Sequence, residues 1–268
     1  MEEKGLLFAD QPYGAHERQR FDLCLPRDHR DRSGLILFIH GGAWIAGDKE
    51  GYRGELEKWS LRGIPAAAVN YRYIAADTHM DALLDDITSA LAAIRDLSAD
   101  HGVRLDRVML TGGSAGGHLS LLYAYARAED APVRPVCVAD YCGPTLLTDE
   151  GLLYGTPEHY PPKEQWTELF TNICGMLPDS DEGMDMLRRY SPVSYVTEKT
   201  VPTIICHGQK DDIVPFSNAV SLRDALEAHG VEYAFLPMPA AGHGLEQKEI
   251  YEESEALFGL YVKRFLEN

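Results

Sequence analysis

Val108–Leu119 reads VMLTGGSAGGHL, and its centre, Gly112-Gly113-Ser114-Ala115-Gly116, is a G-x-S-x-G pattern. Such a pattern has mechanical meaning only between a strand and a helix. There the serine occupies a strained turn that lifts its hydroxyl clear of the sheet, and the flanking glycines relieve the crowding. Val108–Thr111 before it reads as a strand and Gly116–Glu129 after it as a helix. The competing reading is a glycine-rich turn that cradles phosphate, but no Lys follows the glycines as a P-loop requires. Ser114 is therefore the candidate nucleophile.

Outward from this stretch, strand-like and helix-like segments alternate from Gly34 onward. GLILFIH (Gly34–His40) and PAAAVNY (Pro65–Tyr71) are short, nearly continuous apolar runs, as expected of strands covered on both faces. Met80–Ala99 carries Leu83, Leu84, Ile87, Leu91, Ile94 and Leu97 at spacings of three and four, with Asp81, Asp85 and Asp86 near its start, which predicts an amphipathic helix. Val136–Tyr141, Pro202–His207 and Glu232–Pro239 read as further strands, and Tyr52–Arg62, Ser217–His229 and Ile250–Leu266 as helices. Repeated β-α-β units predict a mostly parallel sheet flanked by helices. The alternation lapses over 143–200, which is rich in Gly, Pro and aromatic residues. That stretch is expected to be a lid-like insertion, with short helical pieces at best, inside a single domain over 1–268.

Acyl transfer through a serine needs three further parts. A tetrahedral oxyanion requires preorganised backbone N–H groups, and HGGAW (His40–Trp44) follows a buried strand with glycines that let the backbone approach closely. The N–H groups of Gly41 and Gly42, joined by that of Ala115, are the candidate oxyanion hole. His40 and Trp44 are expected to support the motif, His40 by fixing the loop through hydrogen bonds. The base and its orienting acid must follow in the order Ser, Asp, His. HGQKDDIVP (His207–Pro215) offers Asp211 and Asp212 after one strand, and AAGHGLE offers His243 after the next. Asp140, at the end of its own strand, is another possible acid.

Composition sets the outer limits. The 268 residues carry a net charge of −17, which argues against nucleic acid and anionic membrane surfaces, both of which need clustered cations. No run of 18 apolar residues occurs and no secretory signal is visible at the start. The five cysteines are scattered, without a CxxC pair, and read as reduced buried thiols. A cytoplasmic location is the expectation. None of the ten histidines forms an HExxH or Cys/His cluster, so neither metal nor organic cofactor is expected.

Taken together, HGGAW, GDK (Gly47–Lys49), VNYRY (Val69–Tyr73), GGSAGGHL, SPVSYV (Ser191–Val196), HGQKDDIVP and GHG resemble α/β-hydrolase esterases with an HGG oxyanion motif. The group most resembled is that of bacterial acetylesterases and feruloyl-esterase-like proteins, the BD-FAE type. The resemblance spans nearly the whole chain and implies the α/β-hydrolase fold. In that family the aspartate four residues after the HG histidine is the triad acid, which points to Asp211. Gly113 departs from the acidic residue that hormone-sensitive-lipase-like esterases carry before the serine. The implied activity is hydrolysis of a small-molecule ester with a short acyl chain, of acetyl or hydroxycinnamoyl type, on carbohydrates for example. Tyr154, Tyr160, Trp166 and Phe170 are candidates to wall its pocket, with packing onto the core as the other reading. An arylformamidase or small peptidase, and a non-catalytic ligand-binding hydrolase fold, are the alternatives.

Overall fold

Strand β3 (Gly34–Ile39) is buried at all six positions, because it lies inside a sheet covered on both faces. The computed structural model describes residues 5–27, 33–154 and 163–267. Within them, β3 is flanked by β4 (Ala66–Val69) and β5 (Arg107–Gly113), and the sheet continues through β6 (Arg134–Tyr141), β7 (Thr203–Gly208) and β8 (Tyr233–Met238). These six strands are parallel. Two more, β1 (Leu6–Pro12) and β2 (Arg20–Leu25), add antiparallel beside β4, giving the order β1-β2-β4-β3-β5-β6-β7-β8. The edges of the sheet are thus β1 and β8.

Side chains alternate between two cores. Leu35, Leu37 and Ile39 of β3 face a cluster built with α2 (Met80–Asp100), α3 (Ala115–Ala126) and α7 (Ser217–Ala228). Ile36 and Phe38 face a second cluster, built with α1 (Arg53–Leu61) and α8 (Lys248–Phe265). The predicted stripe of α2 packs as expected at Leu83, Leu84, Ile87, Leu91 and Ile94, while Leu97 is only partly buried against it. Asp86 does more than favour a helix start: it is 1% exposed and paired with Arg72 at 2.8 Å.

Two differences from the sequence reading have physical causes. Strands β1 and β2 precede the first strand read from the sequence. Asp22 sits in the middle of β2, fully buried, between Lys49 at 2.8 Å and Arg53 at 3.3 Å. A carboxylate at a core position breaks the apolar run by which a buried strand is recognised.

Among its described residues, the stretch 143–200 holds three α-helices, α4 (Glu150–Tyr154), α5 (Lys163–Cys174) and α6 (Asp181–Arg189). The twelve residues of α5 are more than a short piece. Trp166, Leu169, Phe170, Ile173 and Cys174 are buried at helical spacing and join the core shared with α2 and α3. Burying each of the larger apolar side chains contributes roughly 1.5–3 kcal/mol, so α5 is packed onto the body. Trp166 and Phe170 therefore belong to the core, Tyr154 is half exposed, and Tyr160 lies outside the described residues.

Candidate active site

Sheet order runs β4-β3-β5, so the chain leaves β3 towards one side and β5 towards the other. Such a reversal opens a crevice at the carboxyl ends of parallel strands, where ligands bind in open α/β sheets. Ser114 stands at this point, directly after β5, with φ 55° and ψ −126°. A non-glycine residue held there is strained. Its N–H donates to Tyr141 O at 2.8 Å, which ties the turn to the end of β6. The flanking glycines are required by contact: a Cβ on Gly112 or Gly116 would sit 2.2 or 2.0 Å from the Ile39 carbonyl oxygen.

The loop after β3 presses against this turn. A Cβ on Gly41 would lie 2.8 Å from Gly113 O and 3.4 Å from the Ser114 Cβ, so the Gly41 backbone is beside the serine. Gly42, Ala43 and Trp44 all have positive φ, at 109°, 49° and 61°, and the N–H groups of Ile45 and Ala46 both donate to Gly42 O. Ala115 opens α3, and the first N–H groups of a helix have no partner within it. The candidate oxyanion donors therefore come from two backbones in contact.

Side chains hold that loop in place. His40 is buried, stacked on Tyr71 with ring centroids 4.2 Å apart, and its Nδ1 donates to Gly41 O at 2.7 Å while Arg18 donates to Nε2 at 3.1 Å. Burial pushes its pKa down to about 4, so the ring is neutral and positions the loop. Trp44 Nε1 donates to Nδ1 of the fully buried His118 at 3.1 Å, and His118 Nε2 donates to Tyr190 O at 2.8 Å. Burial likewise lowers His118 to about 4. This Trp44–His118–Tyr190 line, which joins the HGG loop to α3 and to the stretch 143–200, has no signal in sequence spacing.

The remaining candidates meet two strands away. Asp211 follows β7 and His243 follows β8, and His243 Nδ1 donates to Asp211 Oδ2 at 2.8 Å. Asp211 Oδ1 accepts from the N–H groups of Ile213 and Val214 at 2.9 and 2.8 Å. His207 Nε2 lies 3.2 Å from Oδ2 and 2.9 Å from Val214 O. Burial alone would raise the Asp211 pKa, but hydrogen bonds from His207 and His243, followed by that of Val214, hold it well below the usual carboxylate range. Asp212 is exposed. Asp140 is fully buried, its Oδ1 accepting from Gly143 N–H at 3.0 Å, and burial drives its pKa well above the usual range. Asp140 is thus engaged with the Gly143 backbone, while His243 bonds to Asp211.

Cys142 links the two halves. It follows Tyr141, whose carbonyl receives the Ser114 N–H, and its Sγ donates to His243 O at 3.4 Å. Sequence reading assigned Cys142 no part here, and His207 only a place in a motif. Beside the turn, a cleft of ≈ 230 Å³ opens between α1 and α8, with Phe38, Tyr52, Trp59, Tyr141 and Gly113 among its walls. Gly113 contributes space to it, since a Cβ there would meet only Tyr141, at 3.6 Å. Among the described residues, no helix is long and apolar enough to cross a membrane.

Known proteins similar to this chain include one family, two curated relatives and one solved structure. The sequence model of the BD-FAE family matches residues 21–226. A probable isoprenylcysteine alpha-carbonyl methylesterase of Oryza sativa subsp. japonica is 25% identical over 233 residues, covering 82% of this chain and 53% of its own length. A probable carboxylic ester hydrolase, LipM, of Mycobacterium tuberculosis is 29% identical over 246 residues, covering 85% of this chain and 54% of its own. The chain thus spans about half the length of these curated relatives. Among solved structures, a truncated carbohydrate esterase from gut microbiota superposes with a TM-score of 0.75 at 19% identity, covering 96% of this chain and 97% of that one.

Proposed function

The chain belongs to the BD-FAE family and has the α/β-hydrolase fold, and from that premise we propose that it is a serine carboxylesterase working through Ser114, His243 and Asp211. The observation that carries this reading is the 2.8 Å bond from His243 Nδ1 to an Asp211 carboxylate whose other oxygen is fixed by two backbone N–H groups. That bond leaves Nε2 as the unprotonated nitrogen. His243 Nε2 takes the Ser114 proton as Oγ attacks the acyl carbon and then delivers it to the leaving alcohol. Asp211 keeps the ring in that tautomer and stabilises the imidazolium. The oxyanion is received by the N–H groups of Gly41, Gly42 and Ala115. Water, activated by the same histidine, releases the acid.

The substrate is a small ester with a short acyl chain, of acetyl or hydroxycinnamoyl type. Support comes from the esterase names of the relatives and from the motifs shared with acetylesterases and feruloyl-esterase-like proteins. The test is hydrolysis of p-nitrophenyl esters from acetyl to dodecanoyl, with fluorophosphonate labelling alongside. Rates should fall with chain length, and Ser114→Ala should lose about 10⁴-fold or more in kcat along with all labelling. Equal rates on long chains overturn the short-acyl assignment. An unlabelled wild type overturns the catalytic one and leaves a ligand-binding fold.

A further inference from the structure

The Cys142 thiol takes no part in the ester chemistry, yet it stands among groups that do. One ligating atom each from Cys142, Asp211 and His243 all lie within 4.8 Å of one another. The set is sulfur, carboxylate oxygen and imidazole nitrogen. Such a mixture suits zinc and its neighbours and disfavours magnesium or calcium, which take all-oxygen shells. We propose that this triangle is a binding site for a thiophilic divalent cation of the zinc type, and that its occupation switches the hydrolase off. The second half of the proposal rests on the serine-esterase reading; the first does not.

Geometry and charge both support it. Zinc with these three ligand types sets them about 3.4–3.6 Å apart in a tetrahedral arrangement. The three atoms already lie within 4.8 Å of one another, and the 2.8 Å His243–Asp211 contact must open by about 0.6 Å to reach that spacing. His243 lies between Gly242 and Gly244 on a loop, which can absorb such a shift. Asp211 Oδ1 is already anchored by Ile213 and Val214, and His207 reaches Oδ2. Such outer partners orient a ligating carboxylate. The His243 side chain is 20% exposed, giving an ion a path and the fourth position a water. A thiolate and a carboxylate together neutralise a divalent cation, which a mostly buried site requires.

The step balances simply. The Cys142 S–H bond breaks, its proton leaves to solvent and the sulfur binds the metal. Asp211 is already ionised, and His243 binds neutral. Coordination through Nδ1 moves its single proton to Nε2; coordination through Nε2 leaves the proton on Nδ1. In either case Nε2 no longer accepts the Ser114 proton, so acyl transfer stops.

The experiment titrates the purified chain with Co²⁺ as a spectroscopic probe, then with Zn²⁺ during ester hydrolysis, using wild type, Cys142→Ser and Cys142→Ala. Thermal melts identify any variant that fails to fold. Wild type should bind one Co²⁺ with a thiolate-to-cobalt charge-transfer band, and Cys142→Ala should lose the band and raise the Zn²⁺ concentration for half-inhibition about 100-fold. Absence of a band up to millimolar Co²⁺, or a band that survives in folded Cys142→Ala, overturns the site. A Cys142-dependent band with undiminished hydrolysis under Zn²⁺ overturns the switch. A Cys142-dependent band in a chain that hydrolyses no ester upholds the metal site and removes the esterase reading instead.

Discussion

The two sides of the site are built by different means. On the oxyanion side, the loop after β3 is gripped from three directions: His40 between Tyr71 and Arg18, Trp44 through His118, and Lys49 buried against Asp22. Lys49 N–H also donates to Asn70 Oδ1 at 2.7 Å. On the base side, the loop after β8 is held by His243 to Asp211, by Lys210 N–H to Ala241 O, and by rim bonds from the N–H groups of Ala240 and Gly242 to Gln247 and Glu246. The difference follows from the task. Oxyanion donors act by being already in place when charge appears, whereas the imidazole must exchange protons with serine, leaving group and water.

The largest expected effect separates the two candidate acids on the base side. Asp211→Asn should lower kcat on p-nitrophenyl acetate about 10⁴-fold, because the amide no longer selects the tautomer. Asp212→Asn should stay within about twofold, as a surface change away from any buried link. The reverse ranking would break the contrast at its centre.

Next comes the grip on the oxyanion side. Lys49→Met removes a cation from the fully buried Asp22 and leaves it with Arg53 and the Asp10 N–H. Urea unfolding should show a loss of about 3–5 kcal/mol. A loss below about 1 kcal/mol, the size of an exposed pair, would mean that this loop is held no more firmly than its counterpart.

Trp44→Phe should cost less, about 1–3 kcal/mol of stability, by leaving buried His118 Nδ1 without its donor. Because it loosens donors rather than substrate binding, kcat should fall about tenfold with KM nearly unchanged. A rise in KM alone would place Trp44 in the substrate pocket.

The smallest effect lies beneath both sides, at Asp140. Its folded pKa is raised, so the folded state holds the proton longer than the unfolded one. Stability therefore falls as pH rises from the ordinary carboxylate value towards the folded one. Asp140→Asn does not titrate, so its stability relative to wild type should climb across that window, by up to about 1.4 kcal/mol per pH unit. Parallel pH profiles for the two proteins would show that Asp140 ionises freely.

What was legible in the sequence follows the same divide. The parallel strands announce themselves as apolar runs, and Ser114, Asp211 and His243 sit at strand ends in the order the fold requires. Local spacing could not separate Asp211 from Asp212; family resemblance favoured Asp211, and the structure brings that one to His243. Strand β2 was hidden by Asp22, whose partners come from residues 49 and 53. Helix α5 carried a readable pattern in Trp166, Leu169, Phe170 and Ile173, diluted by the surrounding Gly and Pro. The ties between Trp44 and His118, and between Cys142 and the base loop, join residues 74 and 101 positions apart. No periodicity records contacts of that kind.

The sheet's two margins have a consequence for how the molecule behaves when crowded. A bare strand edge invites another chain to add to it, yet both edges here are interrupted. The pairing of β1 slips between Phe8 and Gln11, with Asp10 at φ 52°. At the other margin β8 contains Pro237, which has no N–H to offer. Together with a net charge of −17, which makes like molecules repel one another, these interruptions make strand addition at either margin less favourable.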